Sequence, residues 1–114
     1  MTFQDAIRTC LNKFADFEGR AGLSEFWWFQ LFYILVYIAI AGVAFTINLP
    51  WLVFLILPLI VPVIAASARR LHDTNRSGWW QLIAIIPLVG LVLIYFLVSS
   101  GDAGDNRFGA PAVN

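Results

Sequence analysis

The chain has 114 residues, 12% charged and 61% hydrophobic, with a formal net charge of zero and a mean hydropathy of +0.80. Soluble domains carry about 25% charged residues, and small ones have the least interior per unit of surface; this apolar load excludes a soluble fold and points to a single-domain membrane protein over 1–114. The charge balance excludes a basic footprint for nucleic acid, and the lone cysteine, Cys10, excludes an internal disulfide or a thiolate metal cluster.

Asp5, Asp16, Glu18 and Glu25 interrupt the N-terminal region, so no cleavable signal peptide is expected. Phe3, Ile7, Cys10, Leu11, Phe14 and Phe17 recur on one helical face, opposite Gln4, Asp5, Arg8, Asn12, Lys13 and Asp16. The spacing predicts an amphipathic helix over 2–18, N-capped by Thr2 with Asp5 answering and stopped at Gly19. It is too short and too polar to span, so it either lies flat at the interface or docks on the helices that follow. Ser24 is the candidate N-cap of the next element.

Phe26–Thr46 carries no charge and would reach about 31 Å as a helix, enough to cross a hydrocarbon core of about 30 Å. Trp27 and Trp28 suit the headgroup level. The short Ile47–Pro50 connection returns the chain antiparallel, and Trp51–Ala68 is the second predicted span, with Pro58 and Pro62 expected to kink or open it. A polar loop over 69–78 follows. Trp79–Val98, containing Pro87 and Gly90, is the third predicted span, and the turn-rich tail over 99–114 is too polar for lipid. The expected fold is thus an all-α membrane protein: an N-terminal amphipathic interfacial helix followed by three transmembrane helices.

Three spans put Arg8, Lys13, Arg20, Arg69, Arg70 and Arg76 on one side and Arg107 alone on the other, six basic residues against one. The positive-inside bias then makes the N-terminus and the 69–78 loop cytoplasmic and the tail periplasmic. The competing topology turns the third run back at Pro87–Gly90 as a re-entrant hairpin, with arms too short to cross.

The candidate site residues are Arg20, Glu25, Arg69, Arg70, His72, Asp73, Arg76, Trp79 and Trp80. Glu25, in the first turn of a helix, suits the dipole there and can reach Arg69 or Arg70 to set helix register. The three loop arginines read as topology determinants, or as a cup for an anionic headgroup or metabolite walled by the tryptophans. His72 beside Asp73 could move protons, but neighbours on a helix do not face each other and no nucleophile is placed with them. No HExxH, Gly-rich phosphate loop or second histidine is present, so neither a cofactor nor a metal is expected. Three short spans with little polar interior lead to an expectation of lipid contact and of self-association or a partner membrane protein, with no nucleic acid.

Gly19-Arg20 followed by Glu25-Phe26-Trp27, then Arg69-Arg70-Leu71-His72-Asp73-Thr74-Asn75-Arg76-Ser77-Gly78-Trp79-Trp80, Ile86-Pro87-Leu88-Val89-Gly90 and Gly104-Asp105-Asn106-Arg107-Phe108-Gly109 resemble the DUF805 family. The resemblance covers nearly the whole chain and implies a small multi-span protein of the bacterial inner membrane without an assigned activity. One departure is Ala21-Gly22-Leu23-Ser24, where similar proteins are often more basic. The resemblance also bears on topology. If all its motifs build one site, the Asn-Arg-Phe-Gly tail belongs on the same side as the arginine stretch.

Overall fold

The computed structural model describes residues 2–111; 112–114, the end of the predicted tail, and Met1 lie outside the described residues. Among these it is all-helical: α1 (Phe3–Asn12), α2 (Leu23–Thr46), a 3₁₀ segment (Pro50–Ile56) running directly into α3 (Leu57–Asp73), a second 3₁₀ segment (Gly78–Ile85) and α4 (Gly90–Val98). Two stretches, Leu23–Thr46 and Pro50–Asp73, are long and apolar enough to cross a membrane.

Thr2 caps α1, its hydroxyl accepting from the Asp5 N–H at 3.2 Å. The helix stops at Asn12, short of the predicted 2–18. Asp16 folds the following stretch by accepting the Glu18 N–H at 3.0 Å, a local bond that competes with helix. Phe14 and Phe17 are therefore off the helix and exposed. Ala6 and Cys10 are buried, and Phe3 meets Trp28 of α2 edge-on at 5.6 Å, so α1 docks on the start of α2.

Helix α2 begins at Leu23 with Gly22 at its N-cap, which leaves Ser24 inside the first turn instead of capping it. Both long stretches end alike. Asn48 and Asn75 take left-handed φ values of 58° and 60°; beyond them Leu49 N–H returns to Ala44 O at 2.9 Å and Arg76 N–H to Leu71 O at 2.9 Å. This is the wrap that satisfies the last carbonyls of a helix, with asparagine in the place glycine usually takes. The 3₁₀-to-α change at Leu57 falls beside Pro58, and Pro62 sits inside α3. Each proline removes one backbone donor, which accounts for the departure from a uniform helix there.

The largest difference from the sequence reading concerns 79–98. It is not one span. The 3₁₀ segment of eight residues extends about 16 Å, and α4, of nine, about 14 Å, each near half of a hydrocarbon core. Between them the chain reverses at Pro87–Val89: Val89 N–H bonds Pro87 O at 2.8 Å around Leu88 at φ 68°, a three-residue turn that strains a residue with a side chain. Gly90, Leu91 and Val92 N–H find the Ile86, Leu88 and Val89 carbonyls at 3.0 Å. With those backbone groups paired, the reversal can sit in apolar surroundings.

The core gathers Cys10 from α1, Phe26 and Phe29 from α2, Ala66 and Leu71 from α3, and Leu93 and Leu97 from α4. It lies toward the end where α2 begins and α3 and α4 finish. Away from it, large apolar side chains such as Phe45, Phe54, Ile85 and Leu88 face outward.

Candidate functional site

The predicted loop over 69–78 is helical as far as Asp73, so Arg69, Arg70, His72 and Asp73 form the last turn of α3 and are buried there. A helix end leaves four carbonyls without intrahelical partners and concentrates negative partial charge. At this end the chain supplies donors to the last turn from several segments. Ala21 N–H donates to Arg69 O at 2.9 Å, and Thr74 and Arg76 N–H both reach Leu71 O. Asn106 Nδ2 donates to His72 O at 3.0 Å, and Asp102 N–H to Asp73 O at 2.8 Å. Two of those donors come from the tail.

The end of α4 is closed by arginine. Arg70 Nε donates to Leu97 O at 3.0 Å, its Nη2 to Ser99 O, and Trp27 Nε1 also reaches Leu97 O at 3.2 Å. Gly19, at φ 85°, turns the backbone so that Arg20 enters the same region. Its guanidinium donates to Asp102 O at 2.7 Å, Gly104 O at 2.8 Å and Gly109 O at 3.1 Å. Asp73 sits between the two cations, 2.9 Å from Arg20 Nε and 2.6 Å from Arg70 Nη1. One carboxylate and a set of helix-end and tail carbonyls thus supply the acceptors for two buried guanidiniums.

Glu25 pairs with Arg69, which fixes the first turn of α2 against the last turn of α3. Both are buried, and Arg69 Nε and Nη2 meet no acceptor. Cys10 lies alongside, its Sγ 3.9 Å from Glu25 O. Burial, and then the Glu25 charge, push that thiol up to about 11, with Arg69 pulling the other way.

His72 and Asp73 do not act on each other. The His72 ring bonds Gly19 O through Nδ1 at 2.8 Å and stacks flat on Phe108 at 3.9 Å, whereas Asp73 is held by arginines. Arg76 lies over the Phe96 ring at 4.0 Å. Trp79 and Trp80 are exposed, Trp80 meeting Phe96 edge-on at 5.6 Å. Among the described residues no group of three or more His, Cys, Asp or Glu side chains could hold a metal.

The candidate site residues did not include the tail, although the resemblance pointed to its motif. Asp102, Asn106, Arg107 and Phe108 all touch the hub, Arg107 through Asn75 O at 3.3 Å. Gly101 is the tightest point: a Cβ there would stand 1.8 Å from Asp73 Oδ2. The available signal was the tail motif in the family resemblance, since no local pattern in 99–111 announces its partner.

The chain is similar to the inner membrane protein YhaI of Escherichia coli K12, 40% identical over 103 residues that cover 87% of each chain. It is also similar to the inner membrane protein YhaH of the same strain, 37% identical over 114 aligned positions that cover 87% of this chain and 88% of the relative. No solved structure matches. The model of the family described as "Protein of unknown function (DUF805)" matches residues 14–110, a stretch containing every hub residue named above. The chain belongs to the DUF805 family of membrane proteins.

Proposed function

We propose that this chain is a non-enzymatic, multi-pass protein of the bacterial inner membrane, built from two spans and a re-entrant hairpin under a cytoplasmic polar cap. Its lipid-facing helices, in this reading, meet a second copy or a partner membrane protein. The location draws support from the relatives, both named as inner membrane proteins. The orientation draws support from charge. With the tail against the hub, Arg107 joins Arg8, Lys13, Arg20, Arg69, Arg70 and Arg76, while Ile47–Pro50 at the opposite end has no basic residue.

One observation carries the non-enzymatic reading: both carboxylates of the hub are spent on buried arginines. A general acid or base needs open reach to a substrate proton. Asp73 is instead enclosed by Arg20 and Arg70, and Glu25 by Arg69. The same commitments weaken the rival reading of an anionic lipid or metabolite held at Arg69, Arg70 and Arg76, because they occupy Arg69 and Arg70 and leave only Arg76, which lies over Phe96. A cap assembled from the N-terminal turn, the end of α3 and the tail is suited to locking helices in register.

Two reporters fused after Asn114 test this, a fluorescent protein that matures only in the cytoplasm and a phosphatase active only in the periplasm. Fluorescence without phosphatase activity is expected. Phosphatase activity would sink the two-span topology. Native mass spectrometry from mild detergent should show a defined oligomer or a retained partner protein, and a bare monomer under all conditions would count against the interaction role.

A further inference from the structure

Beside the hub, and separate from its arginines, lies a cavity of about 590 Å³. Its walls come from α3, the Gly78–Ile85 segment and the strand of chain carrying Phe17. Phe17, Ile64, Trp79 and Leu82 make it largely apolar, His72 and Ser77 are polar, Gln81 adds an amide whose Nε2 donates to Ile64 O at 3.3 Å, and no permanently charged side chain lines it. The size falls in the range of small-ligand pockets, about 300–1,000 Å³. Gly78 lets the Gly78–Ile85 segment approach α3 closely there, since a Cβ would stand 2.9 Å from Ala68 Cβ.

His72 sets the chemistry. A carbonyl oxygen can only accept, so the bond to Gly19 O at 2.8 Å puts the ring hydrogen on Nδ1. Nε2 of the neutral ring is then an acceptor. It lies on the cavity side, 3.7 Å from where a Gly78 Cβ would be. The Phe108 stack, 2° from parallel, holds the ring in place. The cavity therefore offers an apolar trough ending in a fixed hydrogen-bond acceptor. Of the nearby cations, Arg20, Arg69 and Arg70 are turned into Asp73, Glu25 and backbone carbonyls, while Arg76 lies over the Phe96 ring and Arg107 over the Phe108 ring.

We propose that this cavity binds an uncharged, single-chain amphiphile from the membrane, a long-chain primary alcohol, with its chain along Phe17, Ile64 and Leu82. Its hydroxyl donates to His72 Nε2. An amphiphile reaches the site from the bilayer, because the walls continue the apolar surface of α3. Binding does not depend on which way the protein faces, so this proposal and the topology can fail independently.

The test uses the full chain in mild detergent with hexadecanol carrying a photoactivatable diazirine on its alkyl chain, its methyl ether and its phosphate monoester. Labelled peptides are mapped by mass. The alcohol should label the cavity walls about tenfold more than the ether, which keeps the chain and loses the donor. Leu82→Trp, made at an exposed position, should fill the cavity and bring labelling by the alcohol down to that of the ether. Equal labelling by alcohol and ether, stronger labelling by the phosphate, or undiminished labelling of a folded Leu82→Trp protein each overturns the proposal. The alcohol–ether comparison is made on the unaltered chain and decides the matter whether or not the variant folds.

Discussion

Gly101→Ala is the smallest change that should pull the tail from the hub. The new methyl carbon would stand 1.8 Å from Asp73 Oδ2, 2.3 Å from its Cγ and 2.7 Å from its Oδ1. Ordinary contact begins near 3.4 Å, so the carboxylate or the tail must retreat by about 1.6 Å. If the carboxylate moves, it leaves Arg20 Nε at 2.9 Å and Arg70 Nη1 at 2.6 Å, which breaks a buried ion pair at about 3–5 kcal/mol. If the tail moves, the Asp102 N–H bond to Asp73 O and the Arg20 bonds to Asp102, Gly104 and Gly109 carbonyls go with it. Bonds to charged groups are worth about 1.5–3 kcal/mol each. Either route loses about 3 kcal/mol or more. Gly104→Ala is the control, since nothing lies within 4 Å of a Cβ there, and it should change stability by no more than about 0.5 kcal/mol. Unfolding in mixed micelles with increasing denaturing detergent measures both. A Gly101→Ala protein within about 1 kcal/mol of the unaltered chain would show that the tail does not pack against Asp73.

Asp73→Asn keeps the side-chain shape and removes the charge shared by Arg20 and Arg70; it should cost about 3–5 kcal/mol in the same assay. Leu88→Gly separates the reversal from a continuous span: in a straight helix it would cost about 1 kcal/mol, whereas at φ 68° it relieves strain and should leave stability unchanged or raise it. Cys10, with its thiol at about 11 against an ordinary 9.0, should be alkylated at pH 8 about 100-fold more slowly than an open cysteine, because the thiolate is the nucleophile. Its rate should climb about tenfold per pH unit toward 11, and a normal rate at pH 8 would show that the α1–α2 contact opens readily.

The two long helices were legible because uncharged runs of that length have few other uses. The hub was legible because ionised residues stand out against so apolar a chain. What could not be read locally was the partner of each group. Arg69 and Arg70 are adjacent, so the helix points them in different directions, one to Glu25 and the other to Asp73 and the end of α4. Trp79–Val98 has the composition of a span, and Pro87 with Gly90 is compatible with either a kink or a turn. The reversal is decided by tertiary contacts, chiefly the carbonyls of 97–109 that close over Arg20 and Arg70. Those acceptors belong to the backbone, and side-chain identity says little about them. Asn106 caps a carbonyl of the last turn of α3 and Phe108 stacks on His72, partners more than thirty residues away that nothing local to the tail announces.

The tail closes over the end of α3, where Arg107 Nη2 donates to Asn75 O at 3.3 Å, and a cysteine pair made by Asn75→Cys and Arg107→Cys tests that closure. In a Cys10→Ala background and in native membranes, a short thiol-to-thiol crosslinker should join Asn75→Cys to Arg107→Cys within one chain in high yield. Absence of that crosslink, with the cysteine at 107 labelled from the periplasm by a membrane-impermeant reagent, would contradict it.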